Sequence, residues 1–452
     1  MQSIDPTTGE VIATYEETSE AEVERVLAGA VEAQAGWREA GFGERAERLR
    51  EAGRLLREEA GGLAELMARE MGKPLAQGRG EAEKCAWVCE HYAEEAAGFL
   101  ADEVVESDAR RSYVAFRPLG TVLAVMPWNF PLWQVFRFAA PALMAGNAGL
   151  LKHASNVSGC ALAIEDLLLR AGLPEGLFRA LLVGSDRVGG ILEDERVVAV
   201  TLTGSTPAGR AVAAKAGELV KKSVLELGGS DPYVILADAE LEATVETCVT
   251  ARLVNGGQSC IAAKRFVVVE EVLEPFLEAF VQAMRSKRMG NPFEEVDLGP
   301  QARADLRDDL HRQVERSVAA GAACLLGGEV PQGPGAFYPP TVLAGVAPGM
   351  PAWDEELFGP VAAVIAARNE RHAVEIANGT SFGLGGAVFS ADVERAEGIA
   401  RDELEAGACF VNAFVRSDPR LPFGGIKESG YGRELGAFGI REFVNVKTVW
   451  VA

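Results

Sequence analysis

Apolar residues recur at helical spacing through the N-terminal segment of the chain. Ser19 followed three positions later by Glu22 is a capping-box pattern, and apolar residues follow it at helical intervals. A second helical stretch is predicted between Leu49 and Met67, and a third over residues 81–100. Glutamate and arginine occupy the positions between the apolar ones, as on a helix face exposed to water. The pattern predicts a helical start to the protein.

Beyond residue 110 the pattern changes to short, continuous apolar runs of strand length with helical segments between them. The runs start at Tyr113, Thr121, Gly149, Arg179, Val197 and Tyr233, and a further set starts at Phe266, Ala362, Gly386 and Cys409. Continuous apolar runs are typical of strands buried on both faces, and their alternation with helices indicates parallel α/β sheets. We therefore expect one α/β unit before residue 230 and a second one after it.

The last residues of the chain, from Phe443 to Val451, have the composition of a β-strand. A strand at a terminus needs a partner for its backbone groups. Together with the predicted strand from Arg111 to Arg117, it is a candidate for pairing across subunits. An ordinary edge strand within one chain is the alternative, and the sequence leaves both open.

The composition restricts the partners of the protein. Among 452 residues, 44 are Lys or Arg and 66 are Asp or Glu, which gives a net charge of −22. Such a balance argues against nucleic acid and against an anionic membrane surface, both of which need basic surfaces. A small anionic molecule needs only a locally positive pocket and is not excluded.

The seven cysteines are an odd number at low density, so no disulfide framework is expected. Cys85, Cys89 and His91 lack a second pair of ligands, and no metal site is predicted. The N-terminus has no signal-peptide pattern, and the longest apolar stretch is too short for a bilayer. These features favour a cytoplasmic protein.

A turn that includes Gly204 and Ser205 follows one of the apolar runs and precedes a helical segment. A strand, a turn and a helix N-terminus in this order form a site for phosphate. Arg210 and Ala211 stand where a nucleoside-triphosphate loop needs Lys and Ser or Thr, so that class is disfavoured. A plain tight turn is the alternative.

Three further residues are candidates for chemistry because of their local setting. Glu226 lies among apolar residues before two glycines, where burial raises a carboxyl pKa towards that of a general base, unless it ends a strand in water. Cys260 closes the glycine-containing loop 255–260 and is the one cysteine with the setting of a nucleophile. Asn129 is held between Pro127 and Pro131, and its amide suits an oxyanion unless it is simply a turn residue.

The order and spacing of these patterns resemble the aldehyde dehydrogenase superfamily over nearly the whole chain. The matching pieces are Pro127–Pro131, Lys152, Thr203–Thr206, Leu225–Gly229, Gly257–Cys260, Glu356–Pro360 and Pro422–Gly430. The resemblance implies a Rossmann-type cofactor domain (1–99 and 119–229), an α/β catalytic domain (230–431) and a small β oligomerisation element (100–118 and 432–452). It also implies a homodimer or homotetramer.

The resemblance gives these residues roles. Cys260 resembles the nucleophile that attacks the aldehyde carbon, and the Asn129 amide with the Cys260 backbone N–H would hold the oxyanion. Glu226 resembles the base that activates water to hydrolyse the thioester. Family members that pass the acyl group to coenzyme A lack this glutamate, so its presence favours a free carboxylic acid as the product.

The cofactor implied by the resemblance is NAD or NADP. Glu356 resembles the ligand of the nicotinamide ribose, Phe358 its stacking neighbour, and Gly204 with Ser205 the turn at the pyrophosphate. Trp128 and Lys152 complete the implied cofactor set. Family members restricted to NAD usually carry a Glu three residues after the Lys that matches Lys152, and here Ser155 holds that position. We therefore expect NADP to be accepted beside NAD.

The substrate implied by the resemblance is an aldehyde with a distal carboxylate. Arg137, eight residues after Asn129, and Ser417 match residues that succinate-semialdehyde dehydrogenases, above all their shorter bacterial branch, use for that carboxylate. A second Arg of some members is missing, because Val254 holds its position and Arg252 lies two residues earlier. A broader short-chain aldehyde or glutarate-semialdehyde dehydrogenase is the alternative, and a non-catalytic protein with this fold is the hypothesis from another class.

Overall fold

The computed structural model describes all residues from Met1 to Ala452. Its helices are α1 (Glu20–Trp37), α2 (Phe42–Glu58), α3 (Ala60–Met71), α4 (Leu75–Phe99), α5 (Trp133–Ala145), α6 (Ser158–Arg170), α7 (Val188–Glu193), α8 (Thr206–Glu218), α9 (Leu241–Leu253), α10 (Glu270–Arg285), α11 (Ala304–Ala319), α12 (Pro351–Asp354), α13 (Glu370–Asn378), α14 (Val393–Gly398) and α15 (Gly436–Ile440). Short helical turns of other types lie at Ser155–Val157, Ser185–Arg187, Val254–Gly257 and Ile399–Glu403.

The strands are β1 (Gln2–Ile4), β2 (Val11–Thr14), β3 (Glu103–Val104), β4 (Arg111–Pro118), β5 (Thr121–Met126), β6 (Ala148–His153), β7 (Phe178–Ala180), β8 (Val197–Thr203), β9 (Lys222–Glu226), β10 (Pro232–Ile235), β11 (Arg265–Val269), β12 (Ala323–Leu326), β13 (Thr341–Ala344), β14 (Val361–Ala367), β15 (Phe382–Gly383), β16 (Gly385–Phe389), β17 (Ala408–Val411), β18 (Ile426–Lys427), β19 (Gly430–Tyr431) and β20 (Val444–Val451).

The first large sheet has the strand order β19-β9-β8-β5-β6-β7, and all its strands except β19 run parallel. From β5 the chain passes to β6 and β7 on one side and then to β8 and β9 on the other. Ligands of such sheets bind at this change of direction, beyond the carboxyl ends of the strands. The loop that carries Asn129 follows β5 and the turn at Gly204 follows β8, so both lie at this point.

The second large sheet has the order β12-β13-β14-β11-β10-β16-β17 and is parallel except for β12. Separate clusters of buried apolar side chains cover its two faces. Ile261, next to Cys260, packs against one of these clusters and also against the core of the first sheet. The Cys260 loop therefore lies where the two halves of the molecule meet. The predicted parallel α/β architecture is confirmed.

Some elements differ from the sequence prediction. Ser19 does cap α1, since its hydroxyl accepts the Glu22 N–H at 3.2 Å. The single stretch between Leu49 and Met67 is two helices, α2 and α3, which separate at Glu59 just before a Gly-Gly pair of low helix propensity. The third helix begins earlier than predicted, at Leu75 directly after Pro74.

The C-terminal strand β20 pairs with β4 of the same chain, in antiparallel register from Val444 opposite Pro118 to Val451 opposite Arg111. Of the two arrangements that the sequence left open, the chain adopts the internal one. β4 also pairs with the short β3, and the outer edge of β20 has no partner within the chain. Earlier in the chain, β19 pairs with β9 of the first sheet, with Gly430 opposite Glu226.

None of the helices combines the length with the apolar character needed to cross a membrane.

Candidate active site

The loop that carries Cys260 connects α9 to β11 and has an unusual backbone. Asn255, Gly256 and Gly257 all have positive φ angles, of 55°, 63° and 76°. At Gly257 a side chain would also collide with the Gly359 carbonyl, so only glycine fits this turn. The glycines noted in the sequence therefore allow the thiol loop to lie directly against the segment that carries Glu356 and Phe358.

The Cys260 thiol is half-buried and faces a cavity. Burial raises its pKa to about 12, while the positive charges of Arg137 and Lys264 act in the opposite direction. The Lys264 ammonium donates to the carbonyls of Ser259 at 2.8 Å and Cys260 at 2.6 Å. These bonds hold the loop, and the thiol is protonated near neutral pH until a base removes its proton.

Asn129 is buried, and both its backbone carbonyl and its side-chain amide form hydrogen bonds. Its backbone carbonyl accepts from the Lys73 ammonium at 3.1 Å and from the Asn255 amide at 2.7 Å. Its own Nδ2 donates to the Gln258 carbonyl at 3.1 Å, two residues before Cys260. An amide nitrogen carries two hydrogens, so a second one stays available for an oxygen that forms at the thiol. The alternative of an ordinary turn residue does not account for this connection.

His153 supports the Asn129 loop through a hydrogen bond of its ring. Its Nε2 lies 2.9 Å from the Pro131 carbonyl, while its Nδ1 accepts the Ala154 N–H at 3.0 Å. This pattern corresponds to a neutral ring with the proton on Nε2. Burial lowers the pKa of His153 to about 4, which keeps the ring neutral.

Glu226 ends β9 and is only 2% exposed, so the alternative of a strand-end glutamate in water is wrong. Neither carboxyl oxygen has a hydrogen-bond partner in the protein. Burial raises the pKa of Glu226 well above its ordinary value, and the neighbouring carboxyl of Glu434 raises it further. A buried, weakly acidic carboxyl of this kind is suited to take a proton from water.

Arg137 lies on α5 and is 2% exposed. The sequence predicted a cation free to meet a substrate, but the guanidinium forms an ion pair with the buried Glu434. It also donates from Nη2 to the Thr203 hydroxyl at 3.3 Å and lies over the Phe423 ring, with its carbon 4.8 Å from the centroid. Arg137 lines the cavity and keeps hydrogen-bond donors there, but Glu434 matches its charge.

The predicted cofactor residues line the carboxyl edge of the first sheet. Ser205 caps α8 with its hydroxyl and is exposed, next to Gly204. Lys152 is the last residue but one of β6, is half-exposed and has no ion pair, and burial lowers its pKa. The exposed Ser155 begins the following turn. A helix N-terminus, an ammonium and a hydroxyl form a donor set that suits the phosphates of a dinucleotide.

The second part of the predicted cofactor site comes from the segment after the second large sheet's strand β13. Glu356 accepts the Gly229 N–H at 3.0 Å and lies 3.4 Å from the Lys264 ammonium. Its other carboxyl oxygen has no such partner and would lie 2.6 Å from a side chain placed at Gly228. The Phe358 ring meets the Trp128 ring edge to face at 5.7 Å. An acceptor oxygen and an aromatic wall thus adjoin the Cys260 loop, which fits a ribose and a ring of a bound dinucleotide.

A cavity of about 470 Å³ leads to Cys260 from the other side of the loop. Among its lining residues are Phe130, Trp133, Gln134, Arg137, Val254, Cys260, Phe423 and Ser417. Arg252, which the sequence placed near the missing second Arg, is fully buried and binds the Val361 and Gly257 carbonyls at 3.2 and 2.8 Å. Arg252 therefore supports the Cys260 loop and does not face the cavity.

The sequence interpretation missed the side chains that reach this site from distant segments. Lys84 lines the cavity, Lys73 forms a buried ion pair with Glu81, and Glu434 contacts Arg137. A signal existed for Lys84, because it follows Glu81 by three positions on a helix face that is otherwise buried. Nothing in the sequence joins Arg137 to Glu434.

Comparison with known proteins places this geometry in one family. The model of the aldehyde dehydrogenase family matches residues 1–449. A succinate-semialdehyde dehydrogenase [NADP(+)] of Mycobacterium tuberculosis is 49% identical over 454 residues, covering 100% of this chain and 99% of that protein. A succinate semialdehyde dehydrogenase [NAD(P)+] of Escherichia coli is 47% identical, covering 99% of this chain and 97% of that protein.

The solved structures agree with this. The crystal structure of succinic semialdehyde dehydrogenase from Streptococcus pyogenes in complex with NADP+ superposes with a TM-score of 0.97 at 37% identity, covering 100% of this chain and 99% of that one. The family resemblance and the fold class inferred from the ordered motifs are confirmed. By its sequence over nearly every residue and by its fold, the chain belongs to the aldehyde dehydrogenase family.

Proposed function

We propose that this protein oxidises succinate semialdehyde to succinate with NADP or NAD. The observation that carries the proposal is the cavity of about 470 Å³, in which the half-buried Cys260 thiol shares one space with basic and hydroxyl side chains. Relatives of about half identity that bear the name of this activity over their full length support the same substrate.

In the proposed mechanism the Cys260 thiol loses its proton to water, and the resulting thiolate attacks the aldehyde carbon and forms a carbon–sulfur bond. The negative charge that develops on the aldehyde oxygen is held by the free N–H of the Asn129 amide and by the backbone N–H of Cys260. The carbon–hydrogen bond of that carbon then breaks with loss of hydride, for which a bound nicotinamide would supply the acceptor, and the carbon stays bound to Cys260 as a thioester. Glu226 then takes a proton from water, whose oxygen attacks the thioester carbon and releases the carboxylic acid and the thiol.

Glu226 suits the proposed role because its carboxyl group is buried and accepts no hydrogen bond from the protein. A carboxylate in water would be a weak base near neutral pH, and its burial is what raises its proton affinity. The same residue argues for hydrolysis as the last step, and therefore for a free carboxylic acid as the product.

For the cofactor, we propose that Lys152 and Ser155 receive the adenosine ribose and its phosphate. Lys152 forms no ion pair within the protein, and Ser155 stands exposed where a carboxylate would repel a phosphate. The remaining proposed contacts are Trp128, Gly204, Ser205, Glu356 and Phe358. This set supports use of NADP as well as NAD.

For the assembly, we propose a homodimer or homotetramer that uses the element formed by 100–118 and 432–452. The unpaired outer edge of β20 and the exposed Val446 and Trp450 on it support this. The proposed cofactor domain (1–99 and 119–229) and catalytic domain (230–431) follow the two large sheets, with β19 of the later segment joined to the first sheet.

The test is a panel of aldehydes that differ in length and terminal charge, each assayed with NADP and with NAD. The proposal expects succinate semialdehyde to give the highest kcat/KM, above glutarate semialdehyde and above uncharged aldehydes of the same length. Equal efficiency for charged and uncharged aldehydes would favour the broader short-chain enzyme instead. No reduction of either cofactor with any aldehyde would favour the non-catalytic alternative.

A further inference from the structure

Lys84 brings an ammonium group into the wall of the substrate cavity from α4. Its Nζ donates to the Ser417 hydroxyl at 2.9 Å and lies 4.1 Å from the centre of the Trp133 ring. Lys84, Ser417, Trp133 and Cys260 all line the same space. The ammonium and the reactive thiol therefore face one common cavity.

Each of the two carboxylates near Lys84 forms an ion pair with a different cation. Glu81 pairs with Lys73, and its second oxygen accepts the backbone N–H groups of Leu132 and Trp133 at 2.9 and 3.0 Å. Asp418 pairs with Arg420 at 2.6 Å. Lys84 itself forms no ion pair with any residue of the chain, so its charge is uncompensated.

Arg137 does not share this property, because the buried Glu434 matches its charge. The other cavity residue without an ion pair is Arg416, whose side chain is exposed beside the Phe414 ring. Lys84 is therefore the cation that is both without an acidic partner and enclosed by the cavity wall. Burial and the nearby charge of Arg137 lower the pKa of Lys84 to about 8, which is the expected cost of leaving an ammonium unpaired.

Building on the proposed function, we propose that the Lys84 ammonium is the charged contact for the distal carboxylate of the substrate, with the Ser417 hydroxyl beside it. An ammonium has three donors, and only one of them is used by Ser417. Because the Ser417 oxygen accepts from Lys84, its own hydrogen is free to point to a carboxylate oxygen. Arg137 adds hydrogen bonds at this site but no net charge.

This assignment also explains how the chain manages without the second arginine of some relatives. Val254 lines the cavity where that arginine would stand, and Arg252 faces the Cys260 loop instead. The charge is delivered from α4 instead. Lys84 is thus a specificity-determining residue, which acts on the choice of substrate and not on the chemistry at sulfur.

The test compares succinate semialdehyde with its methyl ester, which has nearly the same shape without the charge. Lys84→Met should lower kcat/KM for succinate semialdehyde by roughly 10- to 150-fold, as expected for loss of a charge-assisted hydrogen bond. For the methyl ester it should stay within roughly twofold. Lys84→Arg should keep most of the preference for the charged substrate. Arg79→Met removes an exposed charge from the same helix and is the matched control, with both efficiencies unchanged.

A second readout is inhibition by succinate, which should weaken in Lys84→Met by the same factor as the loss of efficiency. Lys84→Gln serves the same comparison if the Met variant does not fold. If the Lys84 variants keep the wild-type preference for succinate semialdehyde over its ester, the assignment of Lys84 is wrong while the proposed function stands. If the wild-type protein has no such preference, the proposed function fails first, and the role of Lys84 with it.

Discussion

The buried pair of Arg137 and Glu434 leads to a prediction that separates structural support from direct substrate binding. The two side chains are 2% and 6% exposed, and the Glu434 carboxyl has no hydrogen-bond partner of good geometry. Arg137→Met would leave the Glu434 carboxyl without a counter-charge. The charge of Glu434 already raises the pKa of the neighbouring Glu226. We expect this variant to be both less stable and less active towards every aldehyde.

The size of the effect follows from the burial of the pair. Removing one partner of a buried ion pair costs about 3–5 kcal/mol, because an uncompensated charge remains. For a chain of 452 residues the entropy of unfolding is about 0.95 kcal/mol/K near the melting temperature, so Tm should fall by about 3–5 °C if the chain unfolds as one unit. Adding Glu434→Gln removes the stranded charge, and the double variant should recover all but about 1 kcal/mol.

The catalytic activity of Arg137→Met should also fall, for an electrostatic reason. Arg137 opposes the rise in the pKa of both Cys260 and Glu226, so its loss disturbs steps that every substrate shares. The assay is thermal unfolding of the two single variants and the double variant, with kcat/KM for succinate semialdehyde and for its methyl ester. An unchanged Tm in Arg137→Met, or no rescue by Glu434→Gln, would refute the structural role. A loss confined to the charged substrate would make Arg137 its main anchor.

Three further predictions concern other parts of the site. Glu226→Gln should still release a burst of reduced cofactor in stopped-flow measurements, with steady-state turnover about 10²–10⁴-fold lower, because only hydrolysis needs the base; loss of the burst itself would contradict this. Ser155→Glu should lower kcat/KM for NADP by at least about 100-fold through repulsion of the phosphate and leave that for NAD nearly unchanged. His153 has a folded pKa of about 4 against 6.5 when unfolded, so the unfolded chain takes the proton first and stability falls as pH drops from 6.5 to 4. That loss amounts to about 3 kcal/mol, and thermal unfolding of His153→Asn against pH should lack it.

The parts of the site that were predictable from sequence are those whose signal is local. The Cys260 loop, with its positive φ angles at Asn255 to Gly257, is visible as a run of glycines before a cysteine. The apolar neighbours of Glu226 marked it as a candidate base, although they left open whether the side chain is buried or faces water. In each case the signal comes from residues within a few positions of the candidate in the sequence.

The parts that were not predictable depend on contacts between distant segments. Lys84 and Ser417 are 333 positions apart and meet only because α4 and a late loop line one cavity. Arg137 could be located from its spacing to Asn129, but its neutralisation by Glu434 arises when the chain after β18 folds back onto α5. Whether a cation is free or matched is a property of three-dimensional packing.

The fold shows the same division. Alternating apolar runs and helical segments predicted the parallel sheets, because each strand and helix carries its own period. The partner of the C-terminal strand was left open, since edge strands look alike in sequence whether they pair within the chain or outside it. In the folded chain β20 follows α15 directly, and Phe443 before it packs against Phe138 of α5.

The pairing of β19 with β9 has a consequence for how the protein becomes active during its synthesis. Gly430 lies opposite Glu226, and a side chain at the nearby Gly424 would stand 2.7 Å from the carboxyl. A nascent chain that has emerged only as far as β17 already holds the Cys260 loop, Asn129 and the strands that carry Glu226. Such a chain lacks Gly424 and β19, which lie against Glu226 in the folded protein. Synthesis must therefore pass Glu434 before the surroundings that raise the pKa of Glu226 are complete.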